Sequence, residues 1–297
     1  MSHQTDTSRS FPSSLWTLSL VKTASEIWGA RELVNQFVRR DLTVRYHQAV
    51  MGFAWALVNP ALVVMSGLII RFAFAKLSGQ PLELGDASAL AIKAIPWSFF
   101  AGAMSLSTVS IVSHANLIGK VYFVRETLPI ATVLGQLFDT SIGTVSVAIA
   151  LLAFGFEFSA QALWVLPVTL FLLLFTMGCA LLLSCANLFF RDVKYLVQVL
   201  ISFGLFLTPV FFGPEALGPR GAMAMLLFPI ATFIQAIGLS VAEGRSLATE
   251  QFVNVQGIET MVWSPWFLVY GALVSVCTLL AGLVLFRKFS ARFAEAA

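Results

Sequence analysis

The sequence has 297 residues, 58% hydrophobic and 11% charged, with a mean hydropathy of +0.87 and a formal net charge of +3. Soluble domains carry about 25% charged residues, so an ordinary soluble domain is excluded and an all-α polytopic membrane protein is expected. The charge excess is too small to imply nucleic acid, and neither the cysteines (Cys179, Cys185, Cys277) nor the histidines (His3, His47, His114) cluster as a metal site would require.

Residues 1–25 are a polar extension without a secretory apolar core, so insertion is expected to depend on internal helices. Residues 26–50 read as an amphipathic interfacial helix. At about 100° per residue, Ile27, Ala30, Leu33, Val34, Phe37, Val38, Leu42 and Val44 share one side. Glu32, Asn35, Gln36, Arg39 and Arg40 cover the other. The segment is too polar to span, and a position flush with the inner leaflet is expected. Asp41 and Arg45 intrude on the apolar arc, which predicts a bend there.

A membrane helix needs roughly 20 mostly apolar residues. Six spans are predicted in the transmembrane domain 51–287, at about 51–75, 91–112, 128–154, 162–188, 196–212 (short) and 266–286. A further apolar run, 222–241, is interrupted by Pro229 and carries Gln235. It reads as re-entrant or interfacial, shielded by protein or water, within an external loop 213–265.

The basic residues orient these spans. With the N-terminus inside, the inner segments hold Arg9, Lys22, Arg31, Arg39, Arg40, Arg45, Lys120, Arg125, Arg191, Lys194, Arg287, Lys288 and Arg292. The outer set is Arg71, Lys76, Lys93, Arg220 and Arg245. Both termini, including the tail 288–297, are therefore expected in the cytoplasm.

Chemistry of the chain's own is hard to find. A nucleotide loop needs G-x-x-x-x-G-K-[ST]. The run from Gly213 to Arg220 lacks the lysine and the hydroxyl, and "LSGQ" at 77–80 is one glycine short of an ATPase signature loop. Both fall on the external side. Glu83, Asp86, Glu157, Glu215, Glu243, Glu250 and Glu259 are dispersed, without the close pair that acid–base catalysis uses. Asp139 is the one acid within a span, beside Gln136, Thr140, Ser141 and Thr144. A structural hydrogen-bonding or pore-lining role is expected for it, ahead of proton coupling, which would need a relay of such groups.

Between the second and third spans lies a short charged connector, "NLIGKVYFVRETLP". Its residues alone allow two readings. Lys120, Arg125 and Glu126 could flank an apolar wedge containing Tyr122 and Phe123 that docks in a partner. Equally, the cations could be positive-inside charges and the rings an aromatic belt.

Three stretches together, "RRDLTVRYHQAVMGFAWALVNP" (39–60), "NLIGKVYFVRETLPIATVLGQLFD" (116–139) and "NLFFRDVKYLVQVLISFGLFLTPVFF" (187–212), resemble the permease subunits of ABC transporters that export bacterial cell-surface polysaccharide: O-antigen, capsule and teichoic acid. The likeness runs from about Arg31 to Phe286. Val124 departs from the family's usual proline before the Arg-Glu pair.

The resemblance implies a multi-pass subunit of the bacterial inner membrane, working as a homodimer with two copies of a cytoplasmic ABC ATPase. It implies no cofactor on this chain, with ATP and Mg held by the ATPase. The implied substrate is a polyprenyl-diphosphate-linked glycan. With it, the connector reads as the ATPase-coupling element through Lys120, Tyr122, Phe123, Arg125 and Glu126. Phe53, Trp55, Trp97, Phe99, Phe100, Phe203 and Phe206 are candidates for a substrate path, since ring faces suit sliding sugar C–H groups. Arg39, Arg40 and Arg45 are candidates for a rim that holds the lipid diphosphate, because guanidinium groups bind phosphate bidentately. Attraction to anionic lipid is the simpler reading of the same three. A permease for a drug or small lipid, and a non-transport membrane protein of envelope synthesis, are the competing functions.

Overall fold

A computed structural model describes residue 22 and residues 25–47, 54–78, 84–118, 123–255 and 257–290. The helices, in chain order, are α1 (Arg31–His47), α2 (Ala54–Ser78), α3 (Leu84–Ser113), α4 (Thr127–Ala153), α5 (Val165–Phe189), α6 (Val193–Gly204), α7 (Gly218–Leu226), α8 (Pro229–Ile237) and α9 (Pro265–Ser290). A short turn of helix, Ala115–Ile118, follows α3, and a 3-10 turn, Ala160–Trp164, leads into α5. Among the described residues, four apolar stretches are long enough to cross a membrane: Ala87–Ser113, Thr127–Ala153, Ala160–Phe189 and Pro265–Ser290. The chain is thus a multi-pass, all-α membrane protein. α2, at 25 residues, matches the first expected span in length.

The predicted fifth span differs. α6 has 12 residues, about 18 Å at 1.5 Å per residue, against a hydrocarbon core of about 30 Å. Gly204 ends it, and turns carry the chain on past Pro209, which has no N–H to continue a helix.

α3 is the centre of the bundle, packing on α2, α4, α5, α6 and α8. Leu90, Ala94, Ala103 and Ile111 along it are fully buried. α5 and α9 form the most extensive helix pair. Lipid gives helices no hydrophobic reason to associate, so close backbone approach at small residues must supply the attraction. Gly178 and Gly282 do this. A Cβ at 178 would lie 2.6 Å from the backbone nitrogen of Leu279, and one at 282 would lie 2.8 Å from the carbonyl oxygen of Gly178.

The run expected to be re-entrant is a broken pair. The stretches Pro214–Leu226 and Pro229–Ala242 are bent by 117°. Pro229 opens α8, where its missing N–H costs nothing. Ile230, Phe233, Ile234 and Gln235 are buried inside the bundle, so the irregular backbone is shielded. Lys93, assigned to the external charges by sequence, is buried on α3, and its Nζ donates to Gln235 Oε1 at 3.4 Å. The same loop holds a β-hairpin that the helical expectation missed, β1 (Gln251–Val255) antiparallel to β2 (Ile258–Trp263). Gly257 turns it with φ +83°. Its amide donates to Asn254 Oδ1 at 2.9 Å. Trp263 anchors it, fully buried, with Nε1 donating to the Leu247 carbonyl at 3.0 Å.

Gly178→Ala should destabilise the purified protein by about 1–3 kcal/mol through overpacking against α9. Gly85→Ala, at an exposed position with open space for a Cβ, should stay within about 0.5 kcal/mol of the parent. Thermal unfolding in detergent compares them.

Candidate functional site

Among the described residues, the ion pairs that join separate segments at the basic end of the bundle involve α1, the turn before it or the connector before α4. α1 carries the predicted amphipathic pattern, with Glu32, Asn35, Gln36, Arg39 and Arg40 exposed. Its apolar side is not simply turned to lipid. Val34 and Phe37 are buried in a cluster with Ile111, Leu128, Ala131, Leu181, Cys185, Leu188 and Phe286, which come from α3, α4, α5 and α9. Trp28 and Val44 remain exposed.

The charges that break the apolar arc now have a cause. Arg45 reaches α4 and pairs with Asp139 Oδ2, while the Tyr46 hydroxyl donates to Asp139 Oδ1 at 2.6 Å. Burial, and then this bond to a carboxylate, pushes the Tyr46 hydroxyl well above the usual tyrosine range. Asp139 is therefore a buried carboxylate with two partners, both from the interfacial helix. Of the candidate diphosphate rim, Arg45 is committed to this pair. Arg40 contacts Asp41 at 3.2 Å, His114 Nε2 and the Phe37 ring face. His114 Nδ1 donates to the Ser110 carbonyl at 2.7 Å, which leaves Nε2 as the acceptor for a guanidinium that can only donate. Arg39 is exposed on the outer side of α1.

The connector is described from Phe123 onward; Lys120 and Tyr122 lie outside the described residues. Its last turn is stiff. The Val124 carbonyl accepts from the Thr127 amide at 3.1 Å and from Thr127 Oγ1 at 2.6 Å. Pro129 falls in the first turn of α4, where amides have no intrahelical acceptor. Phe123 packs onto Phe37, ring centroids 5.9 Å apart. Glu126 is 5% exposed and accepts from Arg287 Nε at 3.2 Å. Arg125 donates to the Ser290 carbonyl at the end of α9, where the helix dipole favours a cation. Glu126 is therefore buried, whereas Phe123 and Arg125 are half-buried and each already has a contact within the chain.

The aromatic candidates divide. Phe53 lies outside the described residues, and so does the side chain of Trp55 on α2. Trp97 and Phe99 are buried, and Phe100 stacks on Phe175 at 5.9 Å. Trp97 also fills the space over Gly204 of α6. These three are packing residues that fix α3 to its neighbours. Phe203 and Phe206 are 66% and 51% exposed. Tyr195, Gln198 and Ser202, not singled out by sequence, are exposed with them. Sequence reasoning also missed Tyr46 and Glu26, and it treated Arg287 only as a topology charge. The one signal available was Arg45-Tyr46 breaking an apolar arc.

Ion pairs gathered at one end and a buried, broken helix at the other are the build of a membrane transport subunit. The chain belongs to the ABC-2 type transporter family, matched over residues 32–238. Membership places it in a membrane and implies an ABC ATPase partner. Relatives include two O-antigen export system permease proteins RfbA of Klebsiella pneumoniae. One is 26% identical over 267 residues, covering 89% of this chain and 94% of the relative. The other is 24% identical over 266 residues, with the same coverage. An O-antigen export system permease protein RfbA of Myxococcus xanthus is 24% identical over 219 residues, covering 70% and 78%.

Asp139→Asn should weaken the docking of α1 by about 1–3 kcal/mol, less than for a fully buried pair because Arg45 is 31% exposed. Limited trypsin cleavage after Arg39 and Arg40 should accelerate. Adding Arg45→Gln should cost less than the sum of the single effects.

Proposed function

We propose that this chain is the transmembrane subunit of an ATP-driven exporter that moves a polyprenyl-diphosphate-linked polysaccharide, O-antigen in the first instance, out across the bacterial inner membrane. It acts as a homodimer with two copies of a cytoplasmic ABC ATPase, and its basic end, with both termini, faces the cytoplasm. Family membership and relatives named as O-antigen export permeases support this reading.

The structural observation that carries it is the open side of α6. Tyr195, Gln198, Ser202, Phe203 and Phe206 stand exposed on or just after a helix otherwise rich in apolar residues. An unpaired amide facing hydrocarbon is costly, so this side suits a hydrated path between two copies. The rings of Tyr195, Phe203 and Phe206 beside the Gln198 amide, with Leu196, Val199 and Leu200 exposed among them, offer a sugar chain contact without fixing one hydroxyl pattern. Trp97, packed over Gly204, buttresses α6 from behind rather than lining the path.

A small-lipid or drug permease finds one point of support, a groove of about 990 Å³ among α3, α4 and α5 lined by Ile92, Phe99, Thr140, Ser141, Thr144 and Leu172. Its hydroxyls are already spent. Those of Thr140, Ser141 and Thr144 donate to the carbonyls of Gln136, Leu137 and Thr140 at 2.7–2.9 Å. A polar head group would find little there.

ATP-driven closure of the partner reaches the bundle through the connector, whose stiff last turn joins α4 directly. Glu126 and Arg125 serve by holding the connector to α9, and Lys120 and Tyr122 remain the candidates for contact with the ATPase.

Co-purification with the ATPase, mass spectrometry of bound lipid and ATPase assays in vesicles test the proposal. A polyprenyl-diphosphate glycan should co-purify and stimulate hydrolysis. Replacing Arg125 and Glu126 together with alanine should abolish that stimulation while leaving insertion intact. Stimulation by a small drug or phospholipid alone would overturn the substrate, and normal stimulation in the double variant would overturn the coupling route.

A further inference from the structure

The connector, the segment before α1 and the end of α9 meet at a single side chain. Arg287 lies in the last turn of α9. Its Nε donates to Glu126 Oε1 of the connector at 3.2 Å, and its Nη2 donates to Glu26 Oε2. The two bonds leave from two nitrogens of one planar guanidinium, a fixed fork that the single nitrogen of lysine does not match. The side chain of Glu126 is 7% exposed and that of Arg287 27%, whereas Glu26 is at 39%. The connector half of the bridge is therefore the desolvated half, where losing the cation strands a buried carboxylate. Next to it, Arg125 returns the tie from the connector to the Ser290 carbonyl of α9, and Ser290 Oγ donates to the Arg287 carbonyl at 2.8 Å. The Glu26 carbonyl accepts from the Ala30 amide at 3.0 Å, so Glu26 is continuous with the turn that leads into α1.

We infer that Arg287 is a positioning residue that makes the connector, α1 and the end of α9 move as one body when the ATPase partner closes. The inference rests on the coupling role proposed for the connector and adds where the motion goes next. Without Arg287, the Arg125 bond to Ser290 and the Asp139 pair of α1 remain, and on this inference they do not pass the connector's motion on in register. Phe37 against Phe123 is a ring contact that can slide, whereas a forked ion pair keeps its register.

The test uses the full chain with its ATPase partner in lipid nanodiscs, and reads amide hydrogen exchange with and without ATP and Mg. In the parent complex, ATP should change exchange in the connector, in α1 and at the end of α9. In Arg287→Gln, the change in the connector should persist while the changes in α1 and α9 disappear. Glycan-stimulated hydrolysis should fall by at least about fivefold, the lower end of typical coupling between sites. Arg287→Lys, with one donor centre in place of a fork, should keep assembly and still lose the response of α1, which decides the matter if the glutamine variant fails to assemble. ATP-dependent changes in α1 that survive in Arg287→Gln or Arg287→Lys overturn the inference and leave the connector's role standing. A parent complex whose connector does not respond to ATP overturns that role, and the inference with it.

Discussion

A charge held in apolar surroundings must have a partner, and the positions of this protein's movable parts follow from that constraint. Asp139 lies in a span and is nearly buried, so it fixes whatever neutralises it, and what neutralises it is the end of α1. Glu126 is buried at the start of α4 and fixes the end of α9 through Arg287. Lys93, buried in α3, is turned to Gln235 of the broken helix. In each case a buried polar or charged side chain selects one contact with a distant segment, in addition to the apolar packing that segment already makes.

The resulting division of labour suits an exporter. The long helices pack through glycines and aliphatic side chains and form a frame. α1, the connector and the bent pair α7–α8 are held to that frame by apolar packing and by a few specific bonds. α6 stands apart: it is short, buried at Val197 and Gly204, and open along the side that carries Tyr195, Gln198 and Phe203. Its shortness is compatible with a path whose wall is completed by a second copy.

Much of this could be read from residue patterns, and the rest could not for definite reasons. Long apolar runs mark spans because the bilayer demands length and apolarity, so α3, α4, α5 and α9 fall where expected. The amphipathic helix is legible in Leu33, Val34, Phe37 and Val38, and Pro229 marks the break that α7 and α8 show. Inward and outward faces are a different matter. A helix that is apolar on every side carries no period, so Trp97 and Phe99 in the core could not be told from Phe203 and Phe206 in the open. Ion pairs between distant segments also leave no local trace: Arg287 and Glu126 are separated by 161 positions. Charge counting gave Arg287 a topological role and Lys93 an external one without finding a partner for either, because it weighs each cation by its loop and not by its partner. The hairpin at Gln251–Trp263 was missed because its two strands are short and lie in a segment read as a loop.

The most direct measurement locks the connector to α1. In a background without Cys179, Cys185 and Cys277, Phe37→Cys and Phe123→Cys can be joined by a short, cleavable bifunctional thiol reagent in the assembled complex. If the connector and α1 move as one body, the cross-linked complex will keep glycan-stimulated ATP hydrolysis at the level of the same complex before cross-linking. Loss of stimulation on cross-linking, restored when the linker is cleaved, would show that the two elements move apart during the cycle and would contradict the account.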